Sequence, residues 1–218
     1  MADGGDAEAA LRHAHACAVG RGRGGGHRPS RRIRHGWARQ RAGLGGRASL
    51  YTRFVLEELV PYVQTQYHLL RGAHNRAIMG ASLGGLSAFD IGWRHPEHFG
   101  TIGVFSGSFW WRSDDSSLAA KVSSRIAHAL VRERRRHTKL RFWFEAGLYD
   151  ETADRDGDGV IDAIQDTIEL IDELVRGGYE RGADLVYREV AGDHSPATWA
   201  EYLPEFLTWA FGPTKSTG

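Results

Sequence analysis

The chain has 218 residues, 41% of them hydrophobic, which is typical of one globular domain with a substantial core. Its only cysteine, Cys17, excludes an internal disulfide and a thiolate zinc cluster. No apolar run approaches the roughly 18 residues that a membrane span needs, and the N-terminus lacks the apolar segment of a signal peptide. We therefore expect a soluble, cytoplasmic protein without a membrane partner.

Residues 1–48 differ in composition from the rest of the chain. They contain ten arginines, no lysine and three acidic residues, a charge of +7, so the remainder must carry −6 to give the formal total of +1. They hold eleven glycines and ten alanines but only six large apolar residues. Such a segment cannot bury enough apolar surface to offset the entropy of ordering it. We therefore expect a domain at 49–212, with a disordered segment before it and a flexible tail at 213–218.

Three interpretations of residues 1–48 stay open. The run "RGRGGGHRPSRRIRH" could bind nucleic acid, but Trp37 is the only aromatic residue among the 48, so we expect no nucleic-acid partner. The segment could be a plain disordered tail. It could also be an out-of-frame translation of a GC-rich gene, which over-produces Arg, Gly, Ala, His and Pro and avoids Lys. Translating the other two frames of the locus tests the third interpretation.

From Ser49 the hydrophobic pattern becomes regular. The first predicted element is an amphipathic helix, bent or restarted at Pro61, with an apolar face of Leu50, Phe54, Val55, Leu59 and Val63. A short buried strand, "RAIMG", follows. The next helix starts at Leu83, ends before Pro96 and has a buried face of Leu86, Phe89, Ile91 and Trp93.

The second half of the chain alternates strands with helices. The predicted strands are "TIGVFSGS", "KLRFWFEAG" and "DLVYREVAG", and the predicted helices are a basic surface helix at 116–135, a helix over "DAIQDTIELIDELVRGG" and a final helix over 196–211. Alternation of this kind implies parallel pairing. The sequence therefore predicts an α/β fold with a mostly parallel sheet.

The stretch "IMGASLGGLSAF" contains Gly80-Ala81-Ser82-Leu83-Gly84, which fits the pattern G-x-S-x-G. In that pattern a sharp turn between a strand and a helix exposes the serine hydroxyl, and glycines are needed where neighbouring backbone passes close. The motif follows a predicted strand and opens a predicted helix, as the mechanism requires. We therefore predict that Ser82 is a nucleophile, the alternative being a glycine-rich turn without chemistry.

A serine nucleophile needs a base, and the base needs an orienting carboxylate. In folds of this kind the three groups follow in the order serine, acid, histidine, each on a loop beyond a strand. Asp150 follows the third predicted strand, and His194 follows the fourth. We predict Asp150 as the acid and His194 as the base. Glu151 stays open as an alternative acid, whereas Asp193 is a poor candidate because it is the immediate neighbour of the histidine.

The other ten histidines are weaker candidates for the base. Four lie within residues 1–48, and six lie in or beside predicted helices, where a structural or solvated role is usual: His68, His74, His95, His98, His128 and His137. Only His194 follows a predicted strand.

Several segments resemble one family. They are "YTRFVLEELVPYV", "GASLGGLSAF", "HPEHFGTIGVFSGSFWW", "EAGLYDE" and "AGDHSPATWAEYLPEFLTWAF". Together they resemble the putative esterase family of α/β-hydrolases, which includes enterochelin esterases, S-formylglutathione hydrolases, feruloyl esterases and mycolyltransferases. The resemblance covers about residues 49–212. It implies an α/β-hydrolase fold and a serine ester hydrolase that needs no cofactor or metal and acts on a small-molecule ester through Ser82, Asp150 and His194.

The chain departs from this family upstream of the first predicted helix. Family members usually have several strands there, and one loop donates a backbone N–H to the oxyanion hole. Leu83, the residue after the nucleophile, can supply the other donor. Residues 1–48 offer no replacement for the missing strands or loop, and losing one oxyanion donor typically costs roughly a hundredfold to a thousandfold in turnover. We therefore expect an inactive, poorly active or poorly folded member, the alternative function being a noncatalytic binding scaffold.

Two further features allow hypotheses. "DRDGDGVID" at 154–162 has oxygen ligands at alternate positions and Gly159 at the sixth, like a calcium loop, but the twelfth position is Gln165 rather than an acid. A solvated loop, with Asp162 and Gln165 as a helix capping box, is the expected alternative, so we predict no metal.

Three consecutive aromatic residues, Phe109, Trp110 and Trp111, follow the second predicted strand. They cannot all face one core, so we expect one of them to line a substrate or lid surface, or else to pack under a loop.

Overall fold

The computed structural model describes residues 47–133 and 140–212. The expectations for residues 1–46 and 213–218 lie outside this part of the chain and stay predictions. The described residues form a four-stranded sheet in the order β1-β2-β3-β4, with every neighbouring pair parallel. The strands are β1 (Ala77–Ala81), β2 (Thr101–Phe105), β3 (Arg141–Tyr149) and β4 (Leu185–Asp193). The prediction of an α/β fold with a parallel sheet is confirmed.

Helices precede and connect these strands. They are α1 (Ala48–Arg53), a π-helical segment (Phe54–Leu59), α2 (Val60–Gln66), a short 3₁₀ turn (Ala73–Asn75), α3 (Leu83–Arg94), α4 (Leu118–Ser123), α5 (Ile126–Glu133), α6 (Asp162–Arg176) and α7 (Pro196–Phe211). The predicted bounds of α7 agree with those observed.

Alternating side chains of β3 divide the core between the two faces of the sheet. Phe142 and Phe144 pack with α3, α5 and α6 on one face, in the cluster that also contains Phe89 and Trp93. Trp143 packs on the other face, against α7. Every residue of β3 from 142 to 147 is buried, because parallel strands with helices on both faces are covered on both sides.

The first helical segment differs from its prediction. Leu50 and Leu59 were expected on a buried face, yet they are exposed, and only Val55 is fully buried. The reason is the π-helical segment, which has i→i+5 hydrogen bonds and therefore interrupts the 3.6-residue period on which the prediction depended. Pro61 lies in the first turn of α2, where a missing N–H is tolerated.

Two other elements also need correction. β1 was predicted to be buried, but among the described strands it pairs only with β2, and Met79 in its middle is 42% exposed. The single surface helix predicted for 116–135 is two helices within the described residues, separated at Ser124 and Arg125. α5 buries one of its faces, so it is not a surface helix.

A buried ion network fixes the segment between β3 and α6. Asp166 on α6 is fully buried and contacts both Arg125 and Arg155, the latter at 2.6 Å. Arg125 also contacts Glu169. Buried charges are tolerated when they are paired and hydrogen-bonded. Arg155 belongs to the acidic loop, so this network attaches the loop that follows Asp150 to the core.

The predicted capping box of α6 is wrong. The residue before the helix is Ile161, without a side-chain cap. Asp162 instead accepts the backbone N–H of Arg155 at 2.9 Å, and Gln165 donates to Asp156 at 2.9 Å. Both side chains therefore organise the acidic loop rather than the helix end.

Candidate active site

Ser82 occupies a strained turn between β1 and α3. Its backbone has φ 55° and ψ −127°, a combination that non-glycine residues rarely adopt. The Ser82 N–H donates to Phe105 O at 2.9 Å, and the Ser82 carbonyl accepts from Leu86 N at 3.1 Å. The turn is therefore tied to β2 on one side and to α3 on the other.

The two motif glycines have different roles. A Cβ on Gly80 would lie 2.3 Å from the carbonyl oxygen of Gly84, so no side chain fits at residue 80. A Cβ on Gly84 would meet nothing within 4 Å. The expectation that the glycines permit a close backbone approach holds for Gly80, whereas Gly84 contributes only its backbone to that approach.

The Ser82 hydroxyl lies beside a second serine. Its Oγ is 3.4 Å from Ser108 Oγ, and the Ser108 N–H donates to the Ser82 carbonyl at 3.2 Å. No hydrogen bond joins Ser82 to His194, both of which lie in the described part of the chain. Catalytic hydrogen bonds are often long before substrate binds, so Ser82 and His194 stay candidates for the nucleophile and the base.

Asp150 and His194 lie together at the carboxyl ends of β3 and β4. The distance from His194 Nδ1 to Asp150 Oδ1 is 3.8 Å, and the Asp150 side chain is almost fully buried while that of His194 is 38% exposed. Asp150 Oδ2 accepts the Gly147 N–H at 3.1 Å. A Cβ on Gly147 would lie 2.7 Å from Asp150 Oδ1, so glycine at this position leaves room for the carboxylate.

Burial and hydrogen bonds act in opposite directions on Asp150. Burial raises the pKa of its carboxyl above the ordinary value, whereas the Gly147 and Ser106 hydrogen bonds and the nearby His194 lower it. The two hydrogen bonds favour the charged form of Asp150, which can accept a hydrogen bond from the neighbouring His194 imidazole.

Glu151 points to a different part of the molecule. Its carboxylate accepts a backbone hydrogen bond from Ala163 at the start of α6, and burial, followed by the charge of Asp162, raises the pKa of Glu151. Of the two alternative acids, the structure brings Asp150 towards His194. Asp193 accepts from Ser195 at 2.5 Å and from Thr198 at 3.0 Å, so its carboxylate organises the start of α7.

Sequence reasoning missed three residues beside this site: Ser106, Glu145 and Trp199. The Ser106 hydroxyl donates to Asp150 Oδ1 at 3.0 Å, and Trp199 Nε1 donates to Ser106 Oγ at 2.8 Å. Ser106 directly follows β2, so the positional rule that selected Asp150 and His194 could have found it. Glu145 is the single charged residue within the apolar run "FWFEAG", which is a sequence signal for a buried carboxyl.

Glu145 is fully buried, and neither of its carboxyl oxygens has a hydrogen-bond partner. Burial, followed by the negative charge of Asp150, raises the pKa of Glu145 to about 7. A buried carboxyl without partners is costly when ionised, so Glu145 keeps its proton in acidic solution and releases it only around neutral pH.

The aromatic residues after β2 divide as expected. Phe109 is fully buried, Trp111 packs against the main core cluster, and Trp110 is 37% exposed. Trp110 is therefore the member that can contact a ligand, two residues beyond Ser108.

The acidic loop has three exposed carboxylates, those of Asp154, Asp156 and Asp158, whose oxygens lie within 4.8 Å of one another. Both Asp154 oxygens already accept backbone N–H groups, those of Gly157 at 2.7 Å and Gly159 at 2.9 Å. The prediction that this loop binds no metal stays untested, and calcium binding stays the alternative hypothesis.

Comparison with known proteins identifies the family of the chain. Residues 6–210 match the family described as Putative esterase. The chain belongs to this family. The match begins within the segment that we expected to stand apart from the domain, so the interpretation of residues 1–48 stays open.

Curated proteins and solved structures are similar to parts of this chain. Uncharacterized protein YbbA of Bacillus subtilis is 32% identical over 70 residues, which are 32% of this chain and 28% of that protein. Enterochelin esterase from Shigella flexneri has a TM-score of 0.59 at 23% identity, over 73% of this chain and 36% of that one. S-formylglutathione hydrolase from Staphylococcus aureus has a TM-score of 0.52 at 20% identity, over 73% and 63%.

These structural similarities concern the fold. They confirm the predicted α/β-hydrolase fold. The match of residues 6–210 to the family model confirms the resemblance to the esterase family. The chain spans less than two thirds of the length of each of these relatives. Within residues 47–133 and 140–212, no helix has the length and apolar character needed to cross a membrane.

The burial of Glu145 predicts a pH-dependent stability. The unfolded carboxyl has a pKa of 4.5 and the folded one a pKa of about 7, so between these values the unfolded chain releases a proton that the folded protein retains. The free energy of unfolding should therefore fall as pH rises through this window, by roughly 3 kcal/mol in total, and stay level above it. Urea titrations of the wild type and Glu145→Gln at pH 5 and pH 8 measure this.

Glutamine cannot titrate, so the difference between the two proteins isolates the carboxyl. The wild type should lose roughly 2.5 kcal/mol more than the variant between the two pH values, since a small part of the total loss occurs below pH 5. Equal losses in both proteins would show that Glu145 ionises normally.

Proposed function

We propose that this chain is a serine ester hydrolase in which Ser82 is the nucleophile, His194 the base and Asp150 the acid. The main support is the position of Asp150 and His194, 3.8 Å apart at the carboxyl edge of the sheet whose first strand ends at Ser82. Membership in the Putative esterase family supports hydrolysis of an ester bond. The proposed hydrolysis needs neither a metal nor an organic cofactor.

The proposed reaction is acyl transfer in two stages. His194 accepts the Ser82 hydroxyl proton as Oγ attacks the ester carbonyl carbon, which gives a tetrahedral intermediate with a negatively charged oxygen. The intermediate collapses to an acyl-enzyme, and the alcohol leaves with the proton from His194. His194 then deprotonates a water that attacks the acyl carbon. The bond from the acyl carbon to Ser82 Oγ breaks, the carboxylic acid leaves, and Ser82 regains its proton from His194.

Backbone geometry supports the stabilisation of the oxyanion. Leu83 is the first residue of α3, so its N–H has no carbonyl partner within the helix. The helix N-terminus also favours negative charge. A second donor is expected from a loop upstream of α1, which lies outside the described residues, so the prediction of low turnover rests on the composition of residues 1–48 alone.

The substrate is proposed to be a small ester with an apolar or ring-containing acyl group. The exposed Trp110 offers an aromatic surface close to Ser108, which itself lies beside Ser82. The Shigella flexneri relative has been crystallised in the presence of enterobactin. An aromatic ester is therefore a sensible first substrate to test.

A noncatalytic binding scaffold is the alternative. The observation that favours it is the contact of Ser82 Oγ with Ser108 Oγ, without a hydrogen bond to His194. A fluorophosphonate probe separates the two functions, because it reacts only with an activated serine. Labelling of Ser82 supports the hydrolase, and an unlabelled protein supports the scaffold.

Replacement of the proposed nucleophile tests the reaction directly. The wild type should hydrolyse p-nitrophenyl acetate, roughly a hundredfold to a thousandfold more slowly than esterases with a complete oxyanion hole. Ser82→Ala should reduce turnover to the rate without protein, since alanine has no hydroxyl. Ser123→Ala, an exposed serine on α4, is the matched control and should keep the wild-type rate. Equal rates for Ser82→Ala and the wild type would refute the assignment.

The two adjacent acids give a second test. Asp150→Asn removes the charge that faces His194 and should reduce kcat by roughly a thousandfold or more, because the imidazole loses its orienting acceptor. Glu151→Gln should change kcat by less than about threefold, since its carboxylate contacts the start of α6 instead. A steady-state assay of both variants checks this, and a reversed order would make Glu151 the acid.

A further inference from the structure

Ser106 has an unusual backbone at the same edge of the sheet as the proposed triad. It directly follows β2, is only 3% exposed and has φ 46°, which besides Ser82 is the other positive φ at a non-glycine residue among those described. Its N–H donates to the Glu145 carbonyl at 2.8 Å. Strain of this kind persists only where the surrounding structure imposes it, so the side-chain direction of Ser106 is fixed.

The hydroxyl of Ser106 connects an acceptor to a donor. Trp199 Nε1, 2.8 Å away, can only donate, so the Ser106 oxygen must accept from it. The single hydroxyl hydrogen is then available for Asp150 Oδ1 at 3.0 Å. The direction of both hydrogen bonds is therefore set by the indole.

Trp199 also contacts the proposed base. Its ring lies edge-to-face against the His194 imidazole, with centroids 5.3 Å apart and an angle of 86° between the planes. Trp199 is on the first turn of α7, whose cap, Ser195, immediately follows His194. One indole therefore contacts the ring of His194 and, through Ser106, the carboxylate of Asp150.

We propose that Ser106 and Trp199 act as positioning residues for the ester hydrolysis proposed above, an inference that rests on that function. Trp199 orients the Ser106 hydroxyl, and Ser106 holds Asp150 Oδ1 beside His194 Nδ1. The indole restricts rotation of the imidazole at the same time. Neither residue is required to touch the substrate, so the effect of changing them should be on turnover rather than on substrate affinity.

The pair is tested with Ser106→Ala and Trp199→Phe. Ser106→Ala removes the donor to Asp150 and should lower kcat about tenfold with KM unchanged. Trp199→Phe retains a ring beside His194 but removes the N–H, and should lower kcat by a few-fold. Trp209→Phe, the matched change near the other end of α7, where the indole packs on Trp143 and Arg141, should leave kcat unchanged.

The pH profile of kcat/KM separates positioning from a structural role. The carboxylate of Asp150 loses a stabilising donor in Ser106→Ala, so the coupled Asp150–His194 pair binds a proton more readily and the acid limb of the profile should move to higher pH. The other titratable groups near Asp150 are Glu145, Glu151, Tyr187, Asp193 and His194, and all are retained in the variant. A merely structural role would lower the melting temperature without moving the acid limb.

Each outcome decides the inference. A lower kcat with unchanged KM and a shifted acid limb supports it. An active wild type together with a Ser106→Ala variant of unchanged kcat, or of lower kcat with an unmoved limb, overturns the positioning roles and leaves the proposed function intact. A wild type that a fluorophosphonate probe fails to label at Ser82 refutes the proposed function, and the positioning roles with it.

Discussion

The backbone of Ser82 is the constraint on which the rest of the site depends. A residue with φ 55° is held between β1 and α3 because Gly80 has no side chain and the Gly84 carbonyl can pass close to it. Conformations of this kind cost of order 1–3 kcal/mol, so the surrounding contacts must supply the compensation. β2 supplies one of them through Phe105, and α3 supplies another through Leu86. The hydroxyl of Ser82 is thereby placed at the carboxyl edge of the sheet.

The same edge concentrates buried acidic groups. Asp150 and Glu145 both lie on or just after β3, and burial raises the pKa of each. Asp150 is surrounded by donors and faces His194, whereas Glu145 has none. The two carboxyls thus have different surroundings: hydrogen-bond donors favour the charged form of Asp150, whereas burial and a nearby negative charge oppose ionisation of Glu145. A difference between the surroundings of two neighbouring carboxyls is typical of catalytic sites. The burial of Glu145 also costs stability once its carboxyl ionises, a cost that an apolar residue at this position would avoid.

Much of this arrangement could be predicted from the sequence, because strand and helix alternation fixes where the loops of a parallel sheet converge. That rule predicts Ser82, Asp150 and His194 as residues of one site at the carboxyl edge of the sheet. It could not distinguish Asp150 from Glu151, since the direction of adjacent side chains after a strand depends on local contacts. It also failed at the π-helical segment and at the capping of α6, where tertiary hydrogen bonds override periodicity and local capping preferences. Ser106 and Trp199 meet only in the folded chain, since 93 positions separate them.

The central claim is that Ser82, His194 and Asp150 meet at one edge of the sheet. A crystal structure of the protein after reaction with a fluorophosphonate tests it most directly. In this structure we expect phosphorus bonded to Ser82 Oγ, His194 Nε2 within about 3.2 Å of an oxygen of the adduct, and Asp150 hydrogen-bonded to His194 Nδ1. A phosphonylated Ser82 with the His194 ring turned away from it would contradict the claim.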